Sequence, residues 1–265
     1  MKVTVLLENT TCKEDIGCEH GLSLYIETKK HKLLFDTGQS DLFIKNAQAL
    51  GVDLQAVDMV ILSHGHYDHA GGLPAFLELN HHAIVYMHQD AWQPHYNGTE
   101  KYIGIAKDLE KHPQVKIIRQ NDYHIDEECS LYTCNDRPCK YPVNCYGLTK
   151  KVDENFYPDD FTHEQYLEIK EEDKRILISG CSHKGILNIM HWFSPDVLIG
   201  GFHFKKLDPT DKEDQQTLQQ AADELLTYPC MYYTAHCTGV KQYEYMKIYM
   251  QDQLDYLASG RTLTI

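Results

Sequence analysis

Ser63-His64-Gly65-His66-Tyr67-Asp68-His69-Ala70-Gly71-Gly72 is the stretch from which the rest of this chain can be read. Four side chains able to bind a metal, His64, His66, Asp68 and His69, fall within six residues. The apolar run from Val57 to Leu62 leads straight into them and predicts a buried strand. The ligand candidates then lie in the loop at a strand end, where a rigid scaffold can aim them. His64 and His66, two apart in extended chain, project to one side and can chelate a single ion. Asp68 and His69 follow and can reach a second. Imidazole with carboxylate suits zinc, iron or manganese, and suits a catalytic site with an open position better than a closed structural one.

Working outward, strands are predicted at Val3 to Leu7, Leu22 to Thr28 and Leu33 to Phe35, the last ending in Asp36-Thr37-Gly38. Ser40 reads as a helix N-cap ahead of the stripe Leu42, Phe43, Ala47 and Leu50. A helix over Leu73 to Leu79 and strands at Ala83 to Met87 and Val115 to Ile118 follow. Residues 120 to 165 read as an irregular insert containing Cys and Tyr, broken by Pro138, Pro142 and Pro158. Beyond it, Thr217, Leu218, Ala221, Ala222, Leu225 and Leu226 are spaced as one helix face. Cys230 to Thr234 reads as a late strand, and residues 240 to 257 as a last helix.

The second half repeats the first in outline. His20-Gly21-Leu22-Ser23-Leu24-Tyr25-Ile26 compares with Glu164-Gln165-Tyr166-Leu167-Glu168-Ile169. Each is followed by a charged turn and an apolar strand, Lys32 to Asp36 and then Arg175 to Ser179. A duplicated unit of this kind, each half a sheet with helices on its outer face, predicts an α/β four-layer sandwich. At 265 residues the chain is read as a single domain spanning 1–265.

The net charge of −14 argues against nucleic acid as a partner, because phosphate backbones need clustered Lys and Arg. A small anionic substrate held at a metal remains compatible. The N-terminal segment is too short and too soon charged for a signal peptide, and no apolar run approaches a membrane span. Nine cysteines, an odd number, suit a reducing compartment, so a cytoplasmic location is expected. The oligomeric state is not legible.

Three later strands also end in histidine: Ile176 to His183, Val197 to His203 and Tyr232 to His236. The order Asp36-Thr37-Gly38, His64-x-His66-x-Asp68-His69, His183, His236 resembles the metallo-β-lactamase superfamily over nearly the whole chain. That resemblance implies an αββα sandwich. It implies that His64, His66 and His183 hold a first metal, and that Asp68, His69 and His236 hold a second. Asp36 would orient the ligand loop from behind. Shorter motifs, among them Leu7-Glu8-Asn9-Thr10-Thr11, Glu19-His20-Gly21, His163-Glu164-Gln165, Gly180-Cys181-Ser182-His183 and His236-Cys237-Thr238-Gly239, resemble one subgroup. Its members carry the name 7,8-dihydropterin-6-methyl-4-(β-D-ribofuranosyl)aminobenzene-5′-phosphate synthase.

The chain departs from the superfamily pattern at one point. Many members place a metal-bridging Asp on the strand before the last ligand; here that strand ends Gly200-Gly201-Phe202-His203, and Asp208 lies in a loop beyond. One ion, or a weakly held second one, is expected on that basis. Iron-binding redox relatives use Glu where this chain has His66, which leaves zinc favoured, with manganese or iron as alternatives. The expected activity is that of a metal-dependent hydrolase or transferase on a small phosphorylated substrate, pterin-like or nucleotide-like. Asp68, His203, His20 and Glu164 are the candidates for catalysis, with Glu8, Asn9 and His163 as further candidates for substrate contact. Tyr132, Tyr141 and Tyr146 would suit stacking on a flat ring. The competing reading is a non-hydrolytic metal or iron–sulfur protein using Cys129, Cys134, Cys139 and Cys145, whose spacings lack C-x-x-C pairs.

Overall fold

The apolar run before the histidine motif forms the strand Met59–Ile61, buried along its whole length. It pairs in parallel with Lys32–Phe35 on one side and Ile84–His88 on the other. A parallel strand covered on both faces reads as a continuous apolar run, which is why no alternation is seen there. In the computed structural model, which describes residues 1–265, this strand sits in a seven-stranded sheet. Its order is Thr262–Thr264, Lys2–Leu7, Ser23–Glu27, Lys32–Phe35, Met59–Ile61, Ile84–His88, Val115–Ile118. A second seven-stranded sheet runs Leu254–Tyr256, Met231–Thr234, Val197–Gly200, Lys174–Ser179, Tyr166–Glu171, Cys129–Tyr132, Asp122–His124.

The two sheets share one pairing plan. In the first, Lys2–Leu7, Ser23–Glu27 and Lys32–Phe35 pair antiparallel, and three strands then add in parallel. In the second, Cys129–Tyr132, Tyr166–Glu171 and Lys174–Ser179 pair antiparallel, and again three parallel strands follow. The segments that look alike in sequence occupy equivalent strands, as a duplication requires.

Burial defines the layers. Val5, Leu24, Ile26 and Ile61 face Leu167, Ile169, Ile178 and Ile199 between the sheets. Helices Leu42–Ala49 and Leu73–Leu79 pack Phe43, Ala47 and Phe76 onto Leu6, Leu34 and Val60 of the first sheet. Helices Ile186–Phe193, Lys212–Leu225 and Val240–Met250 pack Ile189, Leu218 and Met246 onto Leu177, Leu198 and Tyr232 of the second. The result is the αββα sandwich. No helix is long and apolar enough to cross a membrane.

Three local expectations are corrected. The helix after Ser40 begins at Leu42 with Asp41 in the capping position, although Ser40 Oγ still accepts from the Leu42 N–H at 3.1 Å. The last helix stops at Met250, and Leu254–Tyr256 becomes the edge strand of the second sheet. Residues 120 to 165 are not irregular throughout. Asp122–His124 and Cys129–Tyr132 belong to the second sheet, while Leu148–Val152 and Asn155–Pro158 join His95–Asn97 and Lys101–Tyr102 in a separate four-stranded sheet. Apart from the buried Cys129–Tyr132, these strands are short and half exposed, so their period-2 signal is faint, and Pro158 is tolerated because its strand lies at an edge.

The strands ending at Phe35, Ile61, Ser179, Gly200 and Thr234 all deliver their following loops to one rim of the sandwich. The opposite rim is tied by polar contacts between hairpin turns of the two sheets. Thr28 Oγ1 donates to Glu128 Oε2 at 2.6 Å, and the His31 ring spans Asp58 (Nδ1, 3.1 Å) and Asp126 (Nε2, 2.7 Å). Burial opposes a charge on His31, but hydrogen bonds from the ring to Asp126 and Asp58 outweigh it and raise its pKa above the ordinary imidazole value. A raised histidine stabilises the fold fully below its unfolded-state pKa, and the benefit is lost as pH rises through the folded-state pKa. His31→Gln is therefore expected to lose about 0.5–1 kcal/mol of stability near pH 6, the range of solvent-screened ion pairs, and little near pH 9. Urea denaturation of both proteins at the two pH values checks this; an equal gap at both would refute it.

Candidate metal centre

The loops on the first rim hold their backbones in an unusual conformation. Asp36, Ser182, His203 and His236 have φ of 58°, 56°, 61° and 52°, the left-handed region that favours glycine. Each costs on the order of 1–3 kcal/mol, so the surrounding structure must enforce it.

Asp36 is wholly buried and organises the central motif. Its Oδ1 accepts from Ser63 N–H at 2.7 Å, and its Oδ2 accepts from Ser63 Oγ at 2.7 Å and lies 2.6 Å from His69 Nδ1. Ser63 Oγ in turn lies 2.8 Å from His64 Nδ1. With the serine proton given to Asp36, His64 Nδ1 and His69 Nδ1 both donate, which leaves the Nε2 lone pair of each ring free.

Those lone pairs converge with others. His64 Nε2 lies 3.3 Å from His183 Nε2, and ligand atoms of His64, His66 and His183 lie within 4.8 Å of one another. His69 Nε2 lies 3.1 Å from His236 Nε2. Asp68 Oδ2 completes this second set, 3.3 Å from His236 Nε2 and 3.8 Å from His69 Nε2. Two nitrogens on one tetrahedral zinc stand about 3.3 Å apart, given bonds of about 2.0–2.1 Å. Nε2 of His66 is buried with no hydrogen-bond partner, an orphan that an ion would satisfy. Burial pushes His64, His66 and His183 well below the ordinary imidazole value, so they are neutral. Burial also disfavours charge on His69, but the Asp36 and Asp68 carboxylates outweigh it and lift His69 to about 9, so a cation at this ring would take the place of its Nε2 proton. The donor set fits a divalent metal at each triad.

Glu164, expected in catalysis, and Glu8, expected at the substrate, are supports instead. Glu164 is fully buried, and its Oε1 accepts from His183 N–H at 2.6 Å while Oε2 accepts from Tyr166 OH at 2.6 Å. Glu8, also fully buried, does the same for the other triad: Oε1 accepts from His236 N–H and from Tyr256 OH, both at 2.7 Å. Neither carboxylate can reach a substrate. Asn9 Oδ1 lies 2.9 Å from His236 Nδ1 and fixes that tautomer. His163 accepts from Gly65 N–H at 3.0 Å and lies behind His66, where burial and the neighbouring His95 push it down to about 4. His20 and His203 do border the cleft, His20 with Nε2 3.2 Å from Asp68 Oδ2, and His203 with Nδ1 unpaired. Asp208 is exposed and caps its own turn through Thr210, away from the triads.

The four central cysteines do not assemble into one centre. Cys129 packs between the sheets and Cys134 in the outer core beside Tyr166, while Cys139 is exposed. Missing from the sequence reading were Cys181, Cys237, Lys101, Lys205 and Lys206, which border the same cleft of about 220 Å³. The two cysteines adjoin ligand motifs and were legible in principle; the lysines carry no local signal. Also missed was the buried pair His95 and Asp159, 2.8 Å apart, behind His163.

Replacing Asp36 by Asn puts an amide N–H₂ where His69 must donate, so the ring turns or loses its lone-pair orientation. Asp36→Asn is expected to weaken zinc binding by about 10–100-fold in a chelator competition while the circular dichroism spectrum is kept. Unchanged affinity would show that Asp36 does not set the tautomer.

Residues 16–132 match the family model of the metallo-beta-lactamase superfamily. An uncharacterized Methanocaldococcus jannaschii protein, MJ0448, is 28% identical over 90% of this chain and 91% of its own length. The 7,8-dihydropterin-6-methyl-4-(beta-D-ribofuranosyl)-aminobenzene-5′-phosphate synthase of the same organism is 24% identical over 92% of this chain and 90% of its own. The crystal structure of Tm1679, a metal-dependent hydrolase of the beta-lactamase superfamily, superposes with a TM-score of 0.81 at 27% identity, covering 100% of this chain and 99% of that one. Its sandwich and strand-end histidines agree with these likenesses: residues 16–132 match the metallo-beta-lactamase superfamily model, and the whole chain shares the fold of Tm1679.

Proposed function

We propose that this protein is a metal-dependent hydrolase or transferase acting on a small, phosphorylated substrate with a flat ring. One observation carries the reading. On a chain of net charge −14, Lys101, Lys205 and Lys206 gather on the cleft that has the two triads at its floor. An anion is drawn to such a rim despite the overall charge, because a cleft focuses the local field. A second pocket of about 220 Å³ shares His183 and His203 with the first and is walled by Tyr141, Tyr146, Phe202 and Phe204. Its aromatic walls suit stacking on a heteroaromatic ring. The likeness to the M. jannaschii synthase agrees with a phosphorylated pterin-like ligand. Tyr132 packs against Phe193 instead and takes no part.

His64, His66 and His183 would hold one ion, and Asp68, His69 and His236 a second, with zinc the best match to a set dominated by imidazole. Bound there, a divalent ion supplies Lewis-acid polarisation and makes hydroxide available near neutral pH. The remaining work falls to the chain. Asp36, Ser63 and Asn9 keep the ring tautomers fixed. Lys205 and Lys206 orient the phosphoryl group. His20, half exposed with Nε2 against Asp68 Oδ2, can pass a proton between solvent and that carboxylate. The His203 ring, which borders the cleft, can protonate a departing oxygen. The partner is a small molecule and not nucleic acid or membrane, and nine free cysteines suit the cytoplasm.

A panel of phosphomonoesters, phosphodiesters, ribosyl pyrophosphates and neutral lactones, run with zinc-loaded protein, tests the substrate class. The double variant Lys205→Ala/Lys206→Ala should raise KM for phosphorylated compounds about tenfold or more with a smaller change in kcat, since each charge-assisted contact contributes about 1.5–3 kcal/mol. Preferential turnover of the lactones, indifferent to the lysines, would overturn the reading.

A further inference from the structure

The cleft floor holds two thiols that neither triad uses. Cys181 and Cys237 are 3% and 6% exposed, border the cleft and form no disulfide. Cys181 Sγ lies 3.2 Å from His69 Nε2. It also lies within 4.8 Å of a ligand nitrogen of His64, and within the same distance of ligand nitrogens of His183 and His203. One sulfur therefore reaches members of both triads. A sulfur and a nitrogen on the same tetrahedral zinc stand about 3.5 Å apart, from bond lengths of about 2.3 and 2.0–2.1 Å.

A further observation points to a ligand. His66 Nε2 of the first triad, on a residue 4% exposed, is buried and has no hydrogen-bond partner. Buried imidazoles with an orphaned nitrogen and a thiol at one cleft make a poor apolar packing site and a good coordination site. No carboxylate links the triads either: Asp68 belongs to the second, and Asp36 lies behind His69. Nor could a side chain at residue 201 do so. A Cβ on Gly201 would stand 2.3 Å from Cys237 Sγ, so sulfur already fills the space that side chain would need. Cys237 Sγ donates to the Cys181 carbonyl at 3.3 Å, which pins the Cys181 backbone in place.

We propose that Cys181 is a sulfur ligand shared between the two histidine triads, in the place where a bridging carboxylate is lacking. The inference rests on the reading that the triads hold metal. On ligation the thiol proton passes to solvent, since the thiolate is the coordinating form. A soft sulfur donor shifts the preference toward zinc, iron or cobalt and away from magnesium and manganese.

Cobalt(II) added to metal-free protein tests it, because cobalt absorbs in the visible once bound and adds a near-ultraviolet charge-transfer band only when a thiolate is a ligand. Both features are expected in the wild type. Cys181→Ser should lose the near-ultraviolet band and keep the visible ones, and Cys237→Ser should keep both. Cys181→Ala replaces the serine variant if that does not fold. Visible bands without charge transfer in the wild type would sink the sulfur ligand and leave the metal triads standing. Loss of the band in Cys237→Ser alone would also overturn the assignment. No cobalt uptake at all would overturn both the sulfur ligand and the metal reading.

Discussion

The site depends first on one carboxylate with no water around it. Asp36 sits in the left-handed backbone region, wholly buried, and each of its oxygens is aimed at the histidine motif. Leaving such a charge unpaired in the interior would cost several kcal/mol. The Ser63 amide, the Ser63 hydroxyl and the His69 ring satisfy it, and in doing so they determine which nitrogen of His64 and His69 faces the cleft. The desolvation cost of the carboxylate is thus converted into orientation of two ligands.

The duplication extends this logic to the remaining triad members. Glu8 follows the first strand of one sheet, and Glu164 precedes the second strand of the other. Each is fully buried, takes one tyrosine hydroxyl, and accepts from the backbone N–H of one late histidine. Glu8 holds His236 and Glu164 holds His183. The halves therefore stay in register through buried acids as well as through the apolar faces between the sheets. Gly180 shows how closely they approach: a Cβ there would stand 2.2 Å from Ser63 Oγ. A larger residue would push the His183 loop away from the His64 loop and separate the members of the first triad.

Charge is distributed unevenly over the molecule. The whole chain is acidic, yet three lysines and several imidazoles meet at one cleft. The four-stranded sheet brings Lys101 to that cleft, and the segment after His203 brings Lys205 and Lys206. Tyr146, from the same central region as the four-stranded sheet, lies against the His203 ring at 5.5 Å. The candidate metal ligands, with Lys205 and Lys206, thus come from the duplicated core, whereas Lys101 and Tyr146 come from the central region outside it.

Read alone, the amino-acid order determined the strand into the histidine motif, the four ligand candidates after it, the late strand-end histidines and the repeat of two α/β halves. Those features are local: a buried parallel strand is an apolar run, and ligands at a strand end are close in sequence. It misplaced Glu164, read the central region as irregular, and passed over Cys181, Cys237 and the rim lysines. Whether a polar residue faces a cleft or the interior depends on which segments the fold packs against it. For Glu164 those partners are His183, 19 residues on, and for Glu8 His236, 228 residues on. Only the closed sandwich brings such partners together, because the free energy that holds them there comes from burying the whole interface at once and not from any stretch that could be read in isolation.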